Sequence, residues 1–595
     1  MKGRLLLAGL LFLLLAGLVP PVEAAPLPPL RRLYLPYFET EVPWAESSLF
    51  WFGKVGAPGA AGTNYADVRL AYTSEGLRIY VNVEDYYLWY AEGATASTPL
   101  TDYDAVAIYL DTAHDRAEAP QGDDYRFLSA LCLYGCGDRS TYRRQARGTG
   151  SGWDASWSAA WDDATWASWW CDPGPNDNAC GIDFGWWSYL TLPWSLFGLS
   201  GPPPAGTTWG LGVQLFDGDD APPAGRVPVE AWPESFDADA PVTWGEIVFG
   251  EPPSAVQRGH IEGTTVIRRG LDGAYVADAW VGGGATCSGG HEGDPDADNH
   301  GGDDNLYVES QSLIADFPCF SKSYFRFGLN GIPRGETILS ATLTLHQWSN
   351  ADWKQAQPSL VWLYSTEGAW GEYSLTWNNA PPERENLDAV WIQVISPDDG
   401  VEWPGLPYTW DATRAVAEAY AAGAPVNFAL YTADTNMHSS KYLLASETGD
   451  WNAAGRPVLT VTWGVPPVWL RGEIAPGAGE TGARLTTTLE LFGDDQPLTL
   501  TLPLPAGMGS PPTMEADFGD LSYDSAARTL RWTGTLPFTR TAHITTAATI
   551  ETTRCVALSS TAILTAADGT VRQVALVAIA NPQRLYLPII LQRWE

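Results

Sequence analysis

The clearest alternation of apolar and polar positions lies between Lys322 and Trp348, where KSYFRFGLNGIPRGETILSATLTLHQW holds two runs of period two, SYFRFGL and ILSATLTLHQW. That period puts successive side chains on opposite faces of a strand, and the Gly- and Pro-containing NGIPRGET between the runs predicts a turn. One face of each strand is expected to be buried. Downstream come LTWNNAPP (375–382), YTWDATRAVAEAYAAG (408–423) and YLLASETGDWNAAGRPVLTVTWG (442–464). The middle stretch predicts a short helix laid on the sheet, with Asp411 capping its start and Gly423 ending it.

The same pattern recurs on either side. ADVRLAYTSEGLRIYVNVED (66–85) predicts two strands joined by a Ser-Glu-Gly turn, and DAVAIYLDT (104–112), YLTLPWSLFGL (189–199), TWGLGVQLFDGDD (208–220) and VTWGEIVFG (242–250) predict more. From 469 to 580 short Thr-, Ala- and Leu-rich strands with frequent turns predict an immunoglobulin-like sandwich, a spacer or anchor with LRWTG as its likeness to bacterial adhesin repeats. The fold class is therefore all-β, with three β-sandwich domains in tandem, two of them jelly-roll-like, spanning 38–252, 253–464 and 469–580.

The ends of the chain bear on location. Lys2 and Arg4 precede LLLAGLLFLLLAGLV, and VEAA offers a small-residue cleavage site, so residues 1–24 are expected to be a signal peptide. No other apolar run reaches the roughly 18 residues of a membrane helix. The mature chain is thus expected to be secreted, extracellular or at the cell surface, with no membrane-spanning segment after cleavage. Residues 25–37 form an expected Pro-rich linker whose RLYLP (32–36) returns at 584–588 in a C-terminal tail, 581–595. The two copies are either strands of similar environment or, for the second, a sorting tag that attaches the chain to the cell surface.

Composition narrows the partner. With 34 Lys+Arg against 70 Asp+Glu the net charge is -36, which repels nucleic acid and anionic membranes. The 60 Gly, 45 Pro, 29 Trp and 25 Tyr fit turn-rich β structure with abundant aromatic surface. Of seven cysteines, Cys132, Cys136, Cys171 and Cys180 are expected to form two bridges and Cys287 to pair with Cys319, leaving Cys555 over.

The run of motifs from Arg326-Phe-Gly-Leu through Ile332-Pro-Arg-Gly, Ser340-Ala-Thr-Leu-Thr-Leu, Thr376-Trp-Asn-Asn-Ala-Pro, Trp410-Asp-Ala-Thr and Ser446-Glu-Thr to Arg456-Pro-Val-Leu-Thr-Val resembles the DNRLRE domain, the family 96 carbohydrate-binding module. Its signature residues here, Arg326, Trp377, Asn378, Asp411, Glu447 and Arg456, are expected to hold loops and ion pairs. The segment 38–252, with its LRIYVNVED, DAVAIYLD, DDYRF, LPWSLFG and WGEIVF, is similar to the family 9 carbohydrate-binding module and its DOMON-like relatives. That resemblance implies a sugar site with Arg126 as a polar contact and Trp232 as a stacking ring. Thr101 and Ala107 depart from the family pattern, so Trp89 or Tyr103 would supply the missing half of the site. The alternatives are an ion pair of Arg126 with Asp104 or Asp124, and core packing for Trp232. Nine tryptophans between 153 and 194 exceed what one core absorbs, and some are expected on the surface.

One more stretch carries chemistry. GGHEGDPDADNHGGDDNLYV (289–308) gathers Asp294, Asp296, Asp298, Asp303 and Asp304, hard oxygen ligands that suit Ca²⁺, although Asn299 and Asn305 break the EF-type spacing. The alternative is a solvated acidic loop.

Three functions follow: a non-catalytic secreted protein that attaches to an extracellular polysaccharide, a structural cell-surface or adhesion protein, and a glycoside hydrolase or lyase of carbohydrate catabolism. Hydrolysis needs two carboxylates about 5 to 10 Å apart, which sequence cannot select among so many. A separate barrel enzyme of roughly 250 residues has no room beside the three sandwiches. The first reading is preferred.

Overall fold

The computed structural model describes residues 30–582 except 56–60, 63, 134–135, 137, 170–173, 179–182, 223, 283–297, 311–319 and 435–438. The described residues form strands, short 3-10 turns and one α-helix, Thr413–Ala422, in three tandem β-sandwiches. The helix starts where Asp411 Oδ1 accepts from the Thr413 N–H at 2.9 Å and ends at Gly423, whose φ of +66° suits glycine. Among the described residues no helix is long and apolar enough to cross a membrane.

In the first unit the hairpin Tyr65–Thr73 and Gly76–Glu84 joins Asp183–Pro193, Asp162–Trp169 and Ser48–Gly53 in one sheet. A second sheet contains Gly245–Phe249, Thr208–Phe216, Ala105–Asp111, Asp124–Ala130 and Arg143–Gly148. Alternation decides what lies between them: Leu70, Ile79, Val81, Ile108, Phe127 and Val213 are all fully buried in the core.

In the second unit the two alternating runs do form strands, but they do not pair. Ser321–Phe327 lies in one sheet, between Val276–Gly282 and Val426–Thr432, whereas Thr337–Asn350 crosses to the other and pairs with Val458–Val465 and Leu406–Asp411. The apolar faces of the two runs meet in the core, where Phe325, Phe327, Leu343 and Leu345 are buried. The third unit, from Trp469–Ala475 to Val571–Ala580, closes around Trp532, whose indole N–H reaches the Phe518 carbonyl at 2.6 Å.

The first two units share one sheet, and the core of the first runs on into the second. Arg32–Leu35 runs parallel to Gly245–Phe249 on one side and meets Glu385 on the other, so thirteen strands drawn from both units form a continuous sheet. Where the strand ladder is thin, the Asn386 side chain completes it, accepting from Tyr34 N at 2.8 Å and donating to Tyr34 O at 3.0 Å. Asn378 does the same for Val55. Rings fill the rest of the seam: Trp51 stands edge-on against Tyr364 and Tyr431 at 5.3 and 5.4 Å, and Trp362 donates to the Ser47 carbonyl at 3.0 Å.

This corrects the expected linker 25–37. Its RLYL is a strand, because Leu33 and Leu35 bury fully while Arg31 pairs with Glu234 and Arg32 with Glu246. The second RLYLP, at 584–588, lies outside the described residues. Cys132 and Cys136 form a disulfide; Cys171, Cys180, Cys287 and Cys319 also lie outside the described residues, and Cys555 is free and exposed.

A shared core makes the two units one folding unit. Trp51→Ala, which opens a cavity at the seam, is expected to cost about 3–5 kcal/mol as a lowered urea midpoint. Residues 38–252 expressed alone are expected to bind a hydrophobic dye that residues 31–464 do not.

Candidate functional site

The four residues expected to grip a sugar do not converge. Arg126 and Tyr109 are register partners on one face of the large sheet, while Val213 is the partner of both Ile108 and Trp232 and points to the other. Trp232 is therefore in the core: it is 2% exposed, stacks on Phe50 at 4.1 Å and donates to Glu383 Oε1 at 2.7 Å. Its role as an exposed stacking ring is thus corrected, for the reason that strand register sends it inward. Arg126 lies over the Trp153 ring at 5.4 Å rather than in an ion pair with Asp104 or Asp124. Those two carboxylates receive backbone N–H groups instead, Asp104 from Trp89 and Gly218 and Asp124 from Gln121. Trp89 is half-buried, with its indole N–H on Asn178 at 3.0 Å, and Tyr103 packs beside the small cluster around Tyr109 and Trp244.

Among the described residues, further acidic groups gather outside the loop of 289–308. Asp294 and Asp296 lie outside the described residues, and the Asp303 carboxylate receives the Trp280 indole at 3.0 Å beside His300, while Asp304 is exposed. Carboxylate oxygens of Asp85, Asp217 and Asp219 instead come within 4.8 Å of one another, next to Asp104. Burial, with mutual repulsion, pushes Asp217 up to about 8 and raises Asp85 and Asp104 well above the carboxylate range. A second group, Asp278, Glu372 and Glu447, is bridged by Arg269, which lies 2.8 Å from Glu372 and also bonds Glu447.

What does reach the surface is aromatic. In the second unit Trp451, Trp403 and Trp353 are 71, 54 and 41% exposed. Trp403 is stacked with Trp348 at 6.4 Å and edge-on to Trp451 at 5.0 Å, and Trp348 continues to Tyr442 at 5.9 Å. A hollow of ≈280 Å³ lined by Trp348, Ser349, Asn350, Trp353 and Ser396 opens beside them. The backbone builds this array. Gly405, at φ +102°, passes so close to the Gln347 carbonyl that a Cβ would stand 2.6 Å from it, and this approach sets Trp403 against Trp348. Composition alone did not single these rings out; the WPG at 403–405 was the available signal.

A second ribbon crosses the first unit. Trp166, Trp187, Tyr80, Trp44 and Tyr189 follow one another at 6.4, 5.6, 5.4 and 5.6 Å. Alternation along Asp183–Pro193 divides the tryptophan-rich stretch, with Trp186 buried and Trp187 half-buried on the outer face, while Trp161 and Trp194 join the core. Trp166 is 44% exposed. The expectation that part of this stretch stays on the surface holds among the described residues.

Residues 275–462, which include the Trp348, Trp403 and Trp451 array, match the family model of carbohydrate-binding module family 96. No curated protein matches the chain. Among solved structures, a family 9 carbohydrate-binding module from Caldicellulosiruptor kristjanssonii in complex with cellotriose is 21% identical, covering 39% of this chain and 100% of that one, with a TM-score of 0.26. A family 9 module from the same organism in complex with glucose is 19% identical over 38% of this chain and 100% of that one, TM-score 0.24. The collagen-binding domain of a Staphylococcus aureus adhesin is 10% identical over 18% of this chain and 96% of its own, TM-score 0.15. At these scores the likenesses carry nothing about what the chain binds.

The acid cluster has a measurable consequence. An acid whose folded pKa is raised stabilises the fold fully below its unfolded value, and that contribution is lost as pH rises through the folded value, here about 8 for Asp217. Thermal stability is expected to fall from about pH 4 to about pH 8 and to level off above that. Asp217→Asn should flatten that fall relative to the parent chain, as scanning calorimetry of both proteins would show.

Proposed function

We propose that the chain is a secreted, non-catalytic carbohydrate-binding protein that attaches to an extracellular polysaccharide through the tryptophan array of its second unit. The observation that carries this is the coincidence of the exposed, contacting Trp403 and Trp451, with half-buried Trp348 beside them, with the segment matching a carbohydrate-binding family model. Pyranose rings present an apolar C–H face that stacks on such rings, and rim hydroxyls that polar groups along the hollow, such as Ser396, can meet. A calcium ion on the acidic loop of Asp294, Asp296, Asp298, Asp303 and Asp304 belongs to the same proposal. Tandem sandwiches ending in an immunoglobulin-like unit also fit a structural cell-surface role, with attachment through the C-terminal region, and this is the second reading.

Affinity electrophoresis of the mature chain through gels containing cellulose derivatives, xylan, mannan, pectin or alginate decides between them. Retardation is expected in at least one gel. The Trp403→Ala/Trp451→Ala protein should lose about 1–3 kcal/mol of that affinity while keeping its melting temperature. Chelation with EDTA tests the calcium. Free migration through every gel would leave the structural reading in front.

A further inference from the structure

The acids Asp85, Asp217 and Asp219 gather at one end of the first sandwich. Asp85 follows the strand Gly76–Glu84 of one sheet, and Asp217 and Asp219 follow Thr208–Phe216 of the other, so the cluster spans the two layers. Their carboxylate oxygens lie within 4.8 Å of one another, and the charges that act on Asp85 and Asp217 are those of other acids. Arg226, a few residues on, pairs with Asp102 instead.

Hydrogen bonding leaves the same groups unfinished. Asp85 Oδ1 accepts from Tyr87 N at 3.0 Å and Asp217 Oδ2 from the Asn64 amide at 2.8 Å, yet among the described residues nothing donates to Asp85 Oδ2, Asp217 Oδ1 or the Asn64 amide oxygen. These residues, Asp85, Asp217 and Asn64, are 1, 4 and 1% exposed. Neighbouring Asp104 differs, because Trp89 N and Gly218 N take both of its oxygens. A buried acceptor without a donor is costly, and buried carboxylates without a counter-charge are more so. Shared protons would be one remedy, but these carboxylates act on one another as charges and not through hydrogen bonds. A proton held between two acids brings their oxygens to about 2.5–2.7 Å. Oxygens that ligate calcium at about 2.3–2.6 Å stand roughly 3 to 5 Å from one another, and a spread of up to 4.8 Å fits that shell.

The surroundings hold these oxygens in place. Gly62 N donates to Asp219 Oδ2, and the Asn178 side chain donates to the Asp219 carbonyl at 2.6 Å while accepting from the Trp89 indole at 3.0 Å. Asn176 in turn accepts from Tyr90 N at 2.8 Å. Loops from both sheets are thus bonded to one another around the cluster. All of its donors are hard oxygens, with no imidazole or thiolate among them, and such a set selects calcium over transition metals.

We propose that Asp85, Asp217 and Asp219, with the Asn64 amide oxygen, bind a calcium ion that ties the two sheets of the first unit together at this end and fixes the loop that carries Trp89. Asp104 is a positioning residue, which holds that loop through its backbone. The site is separate from the acidic loop of 289–308 and does not depend on the carbohydrate reading. The fall of stability with pH expected from Asp217 is then a property of the chain freed of calcium.

Calorimetric titration of the EDTA-treated full mature chain with calcium chloride, paired with melting curves, tests it. The parent should bind calcium with a dissociation constant of about 1 mM or tighter, and its melting temperature should rise as calcium is added. Asp217→Asn and Asp219→Asn should each weaken this uptake at least about tenfold, since affinity follows the count of charged ligands. In EDTA the Asp217→Asn protein should melt at or above the parent's temperature, because it no longer buries that charge, so its lost response to calcium is not a lost fold. The Asp303→Asn/Asp304→Asn protein should respond as the parent does. Calcium should also change the near-ultraviolet circular dichroism of the parent, and Trp89→Phe should remove part of that change. A parent that neither binds calcium nor gains stability up to about 10 mM, tenfold above the weakest expected affinity, would overturn the proposal. So would an unaltered response in both Asp217→Asn and Asp219→Asn. Loss of all uptake in the Asp303→Asn/Asp304→Asn protein would place the ion on the acidic loop instead and overturn it as well.

Discussion

The structure depends on the closure of the seam between its first two sandwiches. Sandwiches ordinarily end at sheet edges, and an open edge exposes unpaired backbone groups. Here the strand Arg32–Leu35 occupies the edge of one sandwich and reaches the edge of the next, so that neither is left open there. Asparagine side chains finish the hydrogen bonding that the strands cannot, and edge-on tryptophan and tyrosine rings pack across the junction. Two sheets that could have been beads on a string thereby become one body.

Rigidity of this kind has a functional side. Surfaces on a single body stand at a fixed spacing, so two weak contacts with one polymer can act at high effective concentration without ordering a linker. The tryptophan array of the second unit and the aromatic ribbon of the first are both carried on that body. In each, the rings sit on strands or on loops tied down by glycine and hydrogen bonds, which limits the entropy lost on binding.

The chain also tolerates considerable electrostatic strain inside. Asp85, Asp104 and Asp217 are buried close together, and Glu383, fully buried at the seam, is pushed up to about 8. Backbone N–H groups of Trp89 and Gly218 hold part of the first cluster, and the Trp232 indole holds Glu383. These acids knit loops to strands, which explains why positions that read as surface charge in a chain of -36 are in part structural.

The sequence by itself determined the class of fold, since period-two alternation survives any arrangement of neighbours and it marked the hairpin of 65–84 and the strands of 321–350, while Asp411 and Gly423 marked the two ends of the helix Thr413–Ala422. Motif order likewise determined the likeness of 275–462 to a carbohydrate-binding family. Only the tertiary structure decided which rings face water. Trp232 and Trp403 are both followed by proline, yet strand register turns the first into the core and a close glycine approach holds the second at the surface. RLYLP was legible as a strand but not as the strand that joins two sheets, because its partners Glu246 and Glu385 lie more than two hundred residues away. Lys322 was one polar letter in an alternating run. The cage that surrounds it is assembled from residues of both units, and proximity of that kind is a property of packing, which local pattern does not encode.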